Sequence, residues 1–419
     1  MAEFNFAGSI ENISDSLLEL IKKVIKEQNV KVKKVTFEPA GKAGDNVGSN
    51  TKRIIVEGEE KRLQLFAKIA PQNEGLRQLW TIRLSFLNED IMYTEFFPKL
   101  EKMQRDAGVP ETDRFRYAKC YGSFTENLQE TLILEDLKLS EFTMLDKLVS
   151  MNDTCVKSVL KNLAILHSFS FVLKSREPET FDDFKNKLTN IRRATMEKCP
   201  PEVYAEPIVS SISFLIDNEK WINVIKSILP NLTSEIVMLS DFENSYKNSV
   251  IIQGDAWTNN FMFRFKEGQL TESVILDYQT ASNGNPMTDV LTLIFNCTDY
   301  ETKCKHYYDW IDYYHSELDK ALSYYKLSAS SVYPRSEMDA DLKRYAKLIL
   351  SLSCAMCIMA MRSGDEAVEM VNALQNASEY SGILETMNTK GLEKKSRDVL
   401  KDKIEGFFKS YETFCVSED

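Results

Sequence analysis

Apolar residues recur at helical spacing near the start of the chain, where Leu17, Leu18, Leu20, Ile21, Val24 and Ile25 form a stripe among charges and predict a helix over 9–29. From 30 to 70 the texture changes to short alternating runs. Val30, Val32 and Val35 lead into Gly41-Lys-Ala-Gly44-Asp-Asn-Val-Gly48-Ser, followed by Arg53-Ile-Ile-Val-Glu and Leu63-Gln-Leu-Phe-Ala-Lys68-Ile-Ala. This pattern predicts an antiparallel sheet whose first hairpin carries glycines. A helix at about 84–105 comes next, then two strands, Tyr117 to Phe124 and Thr131 to Glu135. After Asp136-Leu137 the pattern is helical for nearly all the remaining length, with one exception. Val250-Ile-Ile ends at Gly254-Asp255, Phe261-Met-Phe-Arg-Phe265 alternates cleanly, Lys266-Glu-Gly-Gln turns, and Ser273-Val-Ile-Leu-Asp277 is again extended. A small β-hairpin is therefore embedded in a helical domain.

Sheet first and helices second is an α+β pattern. The expected division is an N-terminal lobe over 1–135 and a C-terminal lobe over 136–419, meeting at a short hinge near 135–138 and enclosing a cleft. At 419 residues the chain is too long for a single small domain, and 43% hydrophobic with 27% charged residues is ordinary for a globular protein with a large core. The net charge of -11 opposes non-specific attraction to nucleic acid or anionic lipid. The N-terminus has no basic start and no apolar h-region, and the longest apolar run, Leu348 to Met361, is too short to span ~30 Å of hydrocarbon. A cytoplasmic protein without a membrane span is expected. Eight scattered cysteines read as reduced, buried thiols, because Cys354-Ala-Met-Cys357 has no second pair to complete a zinc site.

The candidate chemistry lies around the embedded hairpin. Asp255 and Asn260 are five apart in Gln253-Gly-Asp-Ala-Trp-Thr-Asn-Asn-Phe, and Asp277 closes the following strand. A loop bent back by a hairpin brings a carboxylate, a carboxamide oxygen and a second carboxylate to one edge. That set suits a hard divalent cation plus one free carboxylate to take a hydroxyl proton, and the same spacing occurs in the protein-kinase catalytic loop. Asp and Asn in tight turns are also commonplace, since their side chains bond their own backbone. Upstream, Lys68 falls on the strand face opposite Leu63, Leu65, Ala67 and Ile69, free to reach a phosphate, and Glu89 on the next helix is placed to pair with it. Taken separately each is an ordinary solvated residue.

Six segments in order, Gly44-Asp-Asn-Val-Gly-Ser49, Phe86-Leu-Asn-Glu89-Asp-Ile-Met-Tyr93, Leu132-Ile-Leu-Glu-Asp-Leu137, Leu163-Ala-Ile-Leu-His167-Ser, Gln253 to Phe261 and Leu276-Asp-Tyr-Gln279, resemble the insect ecdysteroid kinase-like family. That family belongs to the choline kinase and aminoglycoside phosphotransferase group, with a bilobal protein-kinase-like fold. The resemblance implies that Gly44, Asp45, Asn46, Gly48, Ser49 and Lys68 hold the phosphates of ATP, that Glu89 orients Lys68, and that the backbone around Glu135, Asp136 and Leu137 meets the adenine. It further implies that Asp255 is the catalytic base, that Asn260 and Asp277 ligate Mg2+, and that Asp289 braces the catalytic loop. Asp289 reads equally well as the N-cap of the helix beginning near Val290.

Two departures stand out. Gln253 occupies the place of the family's usual histidine, and Val47-Gly48 stands where a bulkier residue is common. Glutamine both donates and accepts, so transfer need not be lost. His167 sits among Val156, Val159, Leu160, Leu163 and Leu166 and reads as a core histidine, His306 and His315 have no metal constellation around them, and Trp257 reads as packing under the loop. The Met-, Cys- and Ser-rich stretch Leu348 to Met361 reads as a core helix, or as one wall of an apolar pocket. The function expected is an ATP-dependent small-molecule O-kinase acting on a hydroxyl of a steroid-like or other apolar alcohol. A choline- or aminoglycoside-type kinase and a non-catalytic pseudokinase are the alternatives.

Overall fold

The computed structural model describes residues 5–9, 13–41, 48–362, 364–376 and 387–416. Six strands build the N-terminal sheet: β1 (Phe6–Gly8), β2 (Val32–Pro39), β3 (Asn50–Gly58), β4 (Arg62–Ile69), β5 (Cys120–Phe124) and β6 (Thr131–Glu135). Their order is β1-β2-β3-β4-β6-β5, antiparallel except for the β1–β2 pair. The helix Asp15–Glu27 covers one face, with Leu17, Leu20, Ile21, Val24 and Ile25 buried against Val35, Ile54, Val56, Leu63, Leu65 and Ala67. Ser14 caps this helix by accepting the N–H of Leu17, and Asn29, at a φ of 50°, turns the chain away at its end. The helix is therefore shorter than the 9–29 stripe, and β1 ends just before that stretch. Because side chains alternate along β4, burying Leu63, Leu65 and Ala67 under this helix sends Lys68 to the other face. The glycine turn at 42–47, with Gly44, Asp45 and Asn46, lies outside the described residues.

The second helical region is broken where one was expected over 84–105. Ile82–Ile91 is α-helical, Met92–Phe96 forms a wider π turn, and Phe97–Asp106 resumes the α form. Pro98 has no N–H to donate back into the preceding turn, which accounts for the change of spacing. Tyr117, expected in a strand, instead stacks on Phe97 with ring centroids 4.6 Å apart, and β5 starts three residues later.

Beyond Glu135 the chain is mainly helical, as expected. The strands there are β7 (Phe142–Thr143), β8 (Val250–Ile252), β9 (Phe261–Lys266), β10 (Gln269–Ile275) and β11 (Ser282–Gly284). β9 and β10 form the embedded hairpin, β7 adds to its edge, and β8 pairs with β11. These short strands sit on Asp153–Arg176 and Pro286–Cys297, helices buried on most or all faces, and Arg335–Ala360 packs against Pro286–Cys297 behind them. By length and composition Asp153–Arg176 would pass as a membrane span, but 83% of its apolar window is buried inside the protein. Arg335–Ala360 and Gly364–Leu374 pass the same test only as a pair bent by 103°. All eight cysteines are free; Cys155, Cys297, Cys354 and Cys357 are buried as expected, but Cys120, Cys199 and Cys415 are only partly buried and Cys304 is exposed.

Candidate active site

Lys68 leaves β4 on the face away from the first helix and is only 7% exposed. Its Nζ lies 2.7 Å from Glu89 Oε2 and 2.9 Å from Asp277 Oδ1. The expected pair with Glu89 is present, and the contact with Asp277, 209 positions away, was not legible from the strand pattern. Burial disfavours the ammonium charge, but the two carboxylates outweigh it and hold Lys68 protonated above the usual lysine range. Glu89 is pushed up by burial, while Lys68 pulls the other way.

Asp255 and Asn260 face each other. The Asn260 amide nitrogen donates to Asp255 Oδ2 at 2.8 Å and to the Asp255 carbonyl at 2.9 Å. With its nitrogen committed, Asn260 has its carbonyl Oδ1 left to offer a cation. Burial and the neighbouring Asp277 push the Asp255 carboxyl up to about 6, against the pull of the Arg192 guanidinium and the Asn260 amide. Asp277 lies two residues beyond β10 at a φ of 56°, a left-handed backbone unusual outside glycine and frequent at functional sites. Together, Asn260 Oδ1 and the Asp277 carboxylate are oxygen donors of the type a magnesium ion takes.

Three buried side chains hold this loop. Gln253 donates through Nε2 to the carbonyls of Leu276 (3.1 Å) and Asp277 (2.8 Å), and its Oε1 accepts the N–H of Asp255 (2.7 Å). Asp289 accepts the N–H of Gln253 at 2.7 Å and of Gly254 at 2.8 Å. The cap of its helix is Asn285, so Asp289 braces the loop and does not cap. His167 is the core histidine expected, with Nδ1 2.8 Å from the Tyr314 hydroxyl and Nε2 3.2 Å from Asp289 Oδ2. Gly254 has a φ of 86°, and a Cβ there would meet the Thr280 carbonyl at 2.5 Å.

The remaining predicted residues lie around this centre. Gly48 packs beside Gln279 and Ile82, and Ser49 is buried. Glu135 receives a bidentate contact from Arg116 at 2.7 and 2.8 Å, and its N–H is spent on the Lys119 carbonyl. Asp136 accepts from Arg53 (2.5 Å) and Gln64 (2.6 Å), while Leu137 is buried and opens a short 3₁₀ turn. Trp257 is half-buried against the core. Leu348 lines a cavity of about 30 Å3 behind Gly254, together with Arg192, Glu243, Thr280 and Asn283, which is room for about two waters. The rest of its helix buries Ser351, Ser353, Cys354 and Cys357 in the core.

Two features were missed in the sequence. Arg192, in a helix between the two motif regions, donates to the Gly254 carbonyl at 2.7 Å, and its position in the chain carries no motif. His306 does stand in a cluster, with Asp153 and Asp309. Lys157 already occupies that spot as a cation, 3.2 Å from Asp153 and 2.7 Å from Asp309.

A lysine–glutamate pair, a carboxylate held by an asparagine five residues on and a second carboxylate after a hairpin are groups of the kind that phosphoryl transfer to a hydroxyl can use. The ecdysteroid kinase-like family model matches residues 43–327, and the chain belongs to that family. Its protein-kinase-like α+β fold agrees with the sheet-then-helix order. Solved structures similar to the chain include an ethanolamine kinase of Plasmodium vivax, 16% identical, covering 87% of this chain and 89% of that one with a TM-score of 0.40. A spectinomycin phosphotransferase in complex with ADP and spectinomycin is 11% identical over 95% and 98% of the two chains, with a TM-score of 0.41. The GDP complex of an aminoglycoside 2'-phosphotransferase-IIIa is 14% identical over 85% and 98%, with a TM-score of 0.38. No curated protein matches the chain in sequence.

Proposed function

We propose that this kinase transfers the γ-phosphoryl group of ATP to a hydroxyl of an ecdysteroid-like or other apolar alcohol, in the cytoplasm, at a cleft between an N-lobe over 1–135 and a C-lobe over 136–419. The observation that carries this reading is the half-buried Asp255 carboxylate, pinned by Asn260 on the loop whose other end is tied to Asp277. With its carboxyl near 6, Asp255 is mostly ionised at neutral pH and still basic enough to take the acceptor's proton as the new O–P bond forms. Lys68 would bind the α- and β-phosphates of ATP, and Glu89 keeps the lysine extended toward them. Asn260 and Asp277 would hold Mg2+, which supplies charge neutralisation for the transferred phosphoryl group.

One alternative is disfavoured by specific contacts. Gln253 makes three hydrogen bonds within the loop, so its presence in place of histidine gives no reason to read the protein as a pseudokinase. The test is ADP release from Mg-ATP with choline, ethanolamine, an aminoglycoside and a polyhydroxylated steroid at equal concentration, with the phosphorylated product identified by mass. Turnover of the steroid is expected. Preferential turnover of a cationic acceptor would refute the acceptor class, and no turnover of any would refute the transfer.

A further inference from the structure

The half-site on the N-terminal sheet and the catalytic loop are bridged by one short segment. Asn88 stands next to Glu89 and is 1% exposed. Its Nδ2 donates to the carbonyls of Thr189 (2.8 Å), Ala281 (3.0 Å) and Gln279 (3.1 Å), and its Oδ1 accepts the N–H of Thr189 at 2.9 Å. The next residue, Asn190, caps the helix Ile191–Met196 by accepting the N–H of Arg193 at 3.0 Å. Thr195 on that helix meets Thr81, at the start of the Glu89 helix, at 3.1 Å. One turn from Thr189, Arg192 donates to the Gly254 carbonyl at 2.7 Å. Gly254 thus has both backbone groups taken by charged side chains, its N–H by Asp289 and its carbonyl by Arg192, immediately before Asp255. Burial pulls the Arg192 guanidinium below its ordinary range, and the carboxylates of Asp255, Asp289 and Glu243 oppose that shift.

We infer that residues 189–195 form a strut that sets the catalytic loop relative to the Lys68–Glu89 pair, with Arg192 as the positioning residue at the loop end and Asn88 at the other. The inference rests on the phosphotransfer reading for its kinetic consequence but not for its geometry. Charge-assisted bonds are shorter and stronger than neutral ones, so Arg192 holds the Gly254 turn more firmly than a neutral donor would. A shift of the loop by an ångström is enough to cost ~10²-fold in rate.

The test is a double-mutant cycle. Arg192→Ala should lower kcat by ~10²-fold with KM for ATP within ~3-fold of wild type, and Arg192→Lys, which keeps a charged donor, should recover most of the loss. Thr195→Val, which breaks only the strut's contact with Thr81, should lower kcat as well, and the double variant should be slower than Arg192→Ala by less than ~3-fold, since both changes break one strut. Fully multiplicative effects, or Arg192→Ala with unchanged kcat, would overturn the strut. Amide hydrogen exchange decides the point independently of turnover: Arg192→Ala should expose both 253–257 and the helix Ile82–Ile91. Loosening of the loop alone would refute the inference, and absence of turnover in the wild type would refute only the kinase reading.

Discussion

Replacing Gln253 should separate holding the catalytic loop from doing its chemistry. The side chain is fully buried and makes three hydrogen bonds, two given to the carbonyls of Leu276 and Asp277 and one taken from the Asp255 N–H. Each is worth about 1 kcal/mol net, and a buried group left without a partner costs about 1–3 kcal/mol. Gln253→Ala loses all three and opens a void, so it should cost about 3–5 kcal/mol and displace Asp255 from Asp277, with a loss of ~10²-fold in transfer. Gln253→His keeps one donor and one acceptor and should cost about 1 kcal/mol, with activity within tenfold of wild type. Gln253→Glu keeps the acceptor for the Asp255 N–H but turns a carboxylate oxygen toward two carbonyls, and should fall between the two or below both. Urea unfolding gives the stabilities and ADP release the rates. If Gln253→Ala is as stable as wild type within 1 kcal/mol, or Gln253→Glu is fully active, the three contacts do not hold the loop.

Asp255→Ala should abolish phosphorylated product by at least ~10²-fold while thermal unfolding stays at or above the wild-type temperature, and activity within about tenfold of wild type would remove the base assignment. Asp277→Asn should weaken nucleotide binding in magnesium more than in its absence, which calorimetry with and without the metal reads directly. Glu243 is pushed up from 4.5 to about 7 by burial, so the folded chain holds its proton more tightly than the unfolded one. Its contribution to stability is therefore full below pH 4.5 and is lost as pH rises toward 7, by about 3 kcal/mol. Glu243→Gln, which keeps an acceptor for Tyr345, should flatten that part of the stability curve, and an unchanged slope between wild type and variant would show that Glu243 is not the group responsible.

Much of the architecture follows from local pattern. Period-two alternation put Lys68 on the strand face opposite Leu63, Leu65 and Ala67, and that face turned out to be the one with Glu89 and Asp277. The five-residue spacing of Asp255 and Asn260 fits one tight turn, so their contact is a local consequence of chain geometry. Expectation failed at the edges of elements. Tyr117 satisfied an alternating pattern but gained more from stacking on Phe97, and Pro98 imposed a π turn that apolar spacing does not reveal.

Other features depended on segments far apart in the chain. Asp289 read equally as a cap or a brace, and only the placement of Asn285 at the helix start and of Gly254 above it decided for the brace. The acid lining the cavity, Glu243, comes from a helix about a hundred residues away from Leu348, so the apolar pattern of Leu348 to Met361 could not reveal it. The sequence by itself determined the strand and helix periods, the oxygen-donor set of the hairpin and the family, because these rest on neighbours within one turn or one strand. Tertiary structure alone decided that Lys68 meets Asp277, that Gln253 ties three points of the loop, and that Arg192 and Asn88 join the loop to the Glu89 helix. Those contacts are made by polar side chains of unrelated elements, and a polar residue carries no periodic signal of the partner it will find when the helices pack.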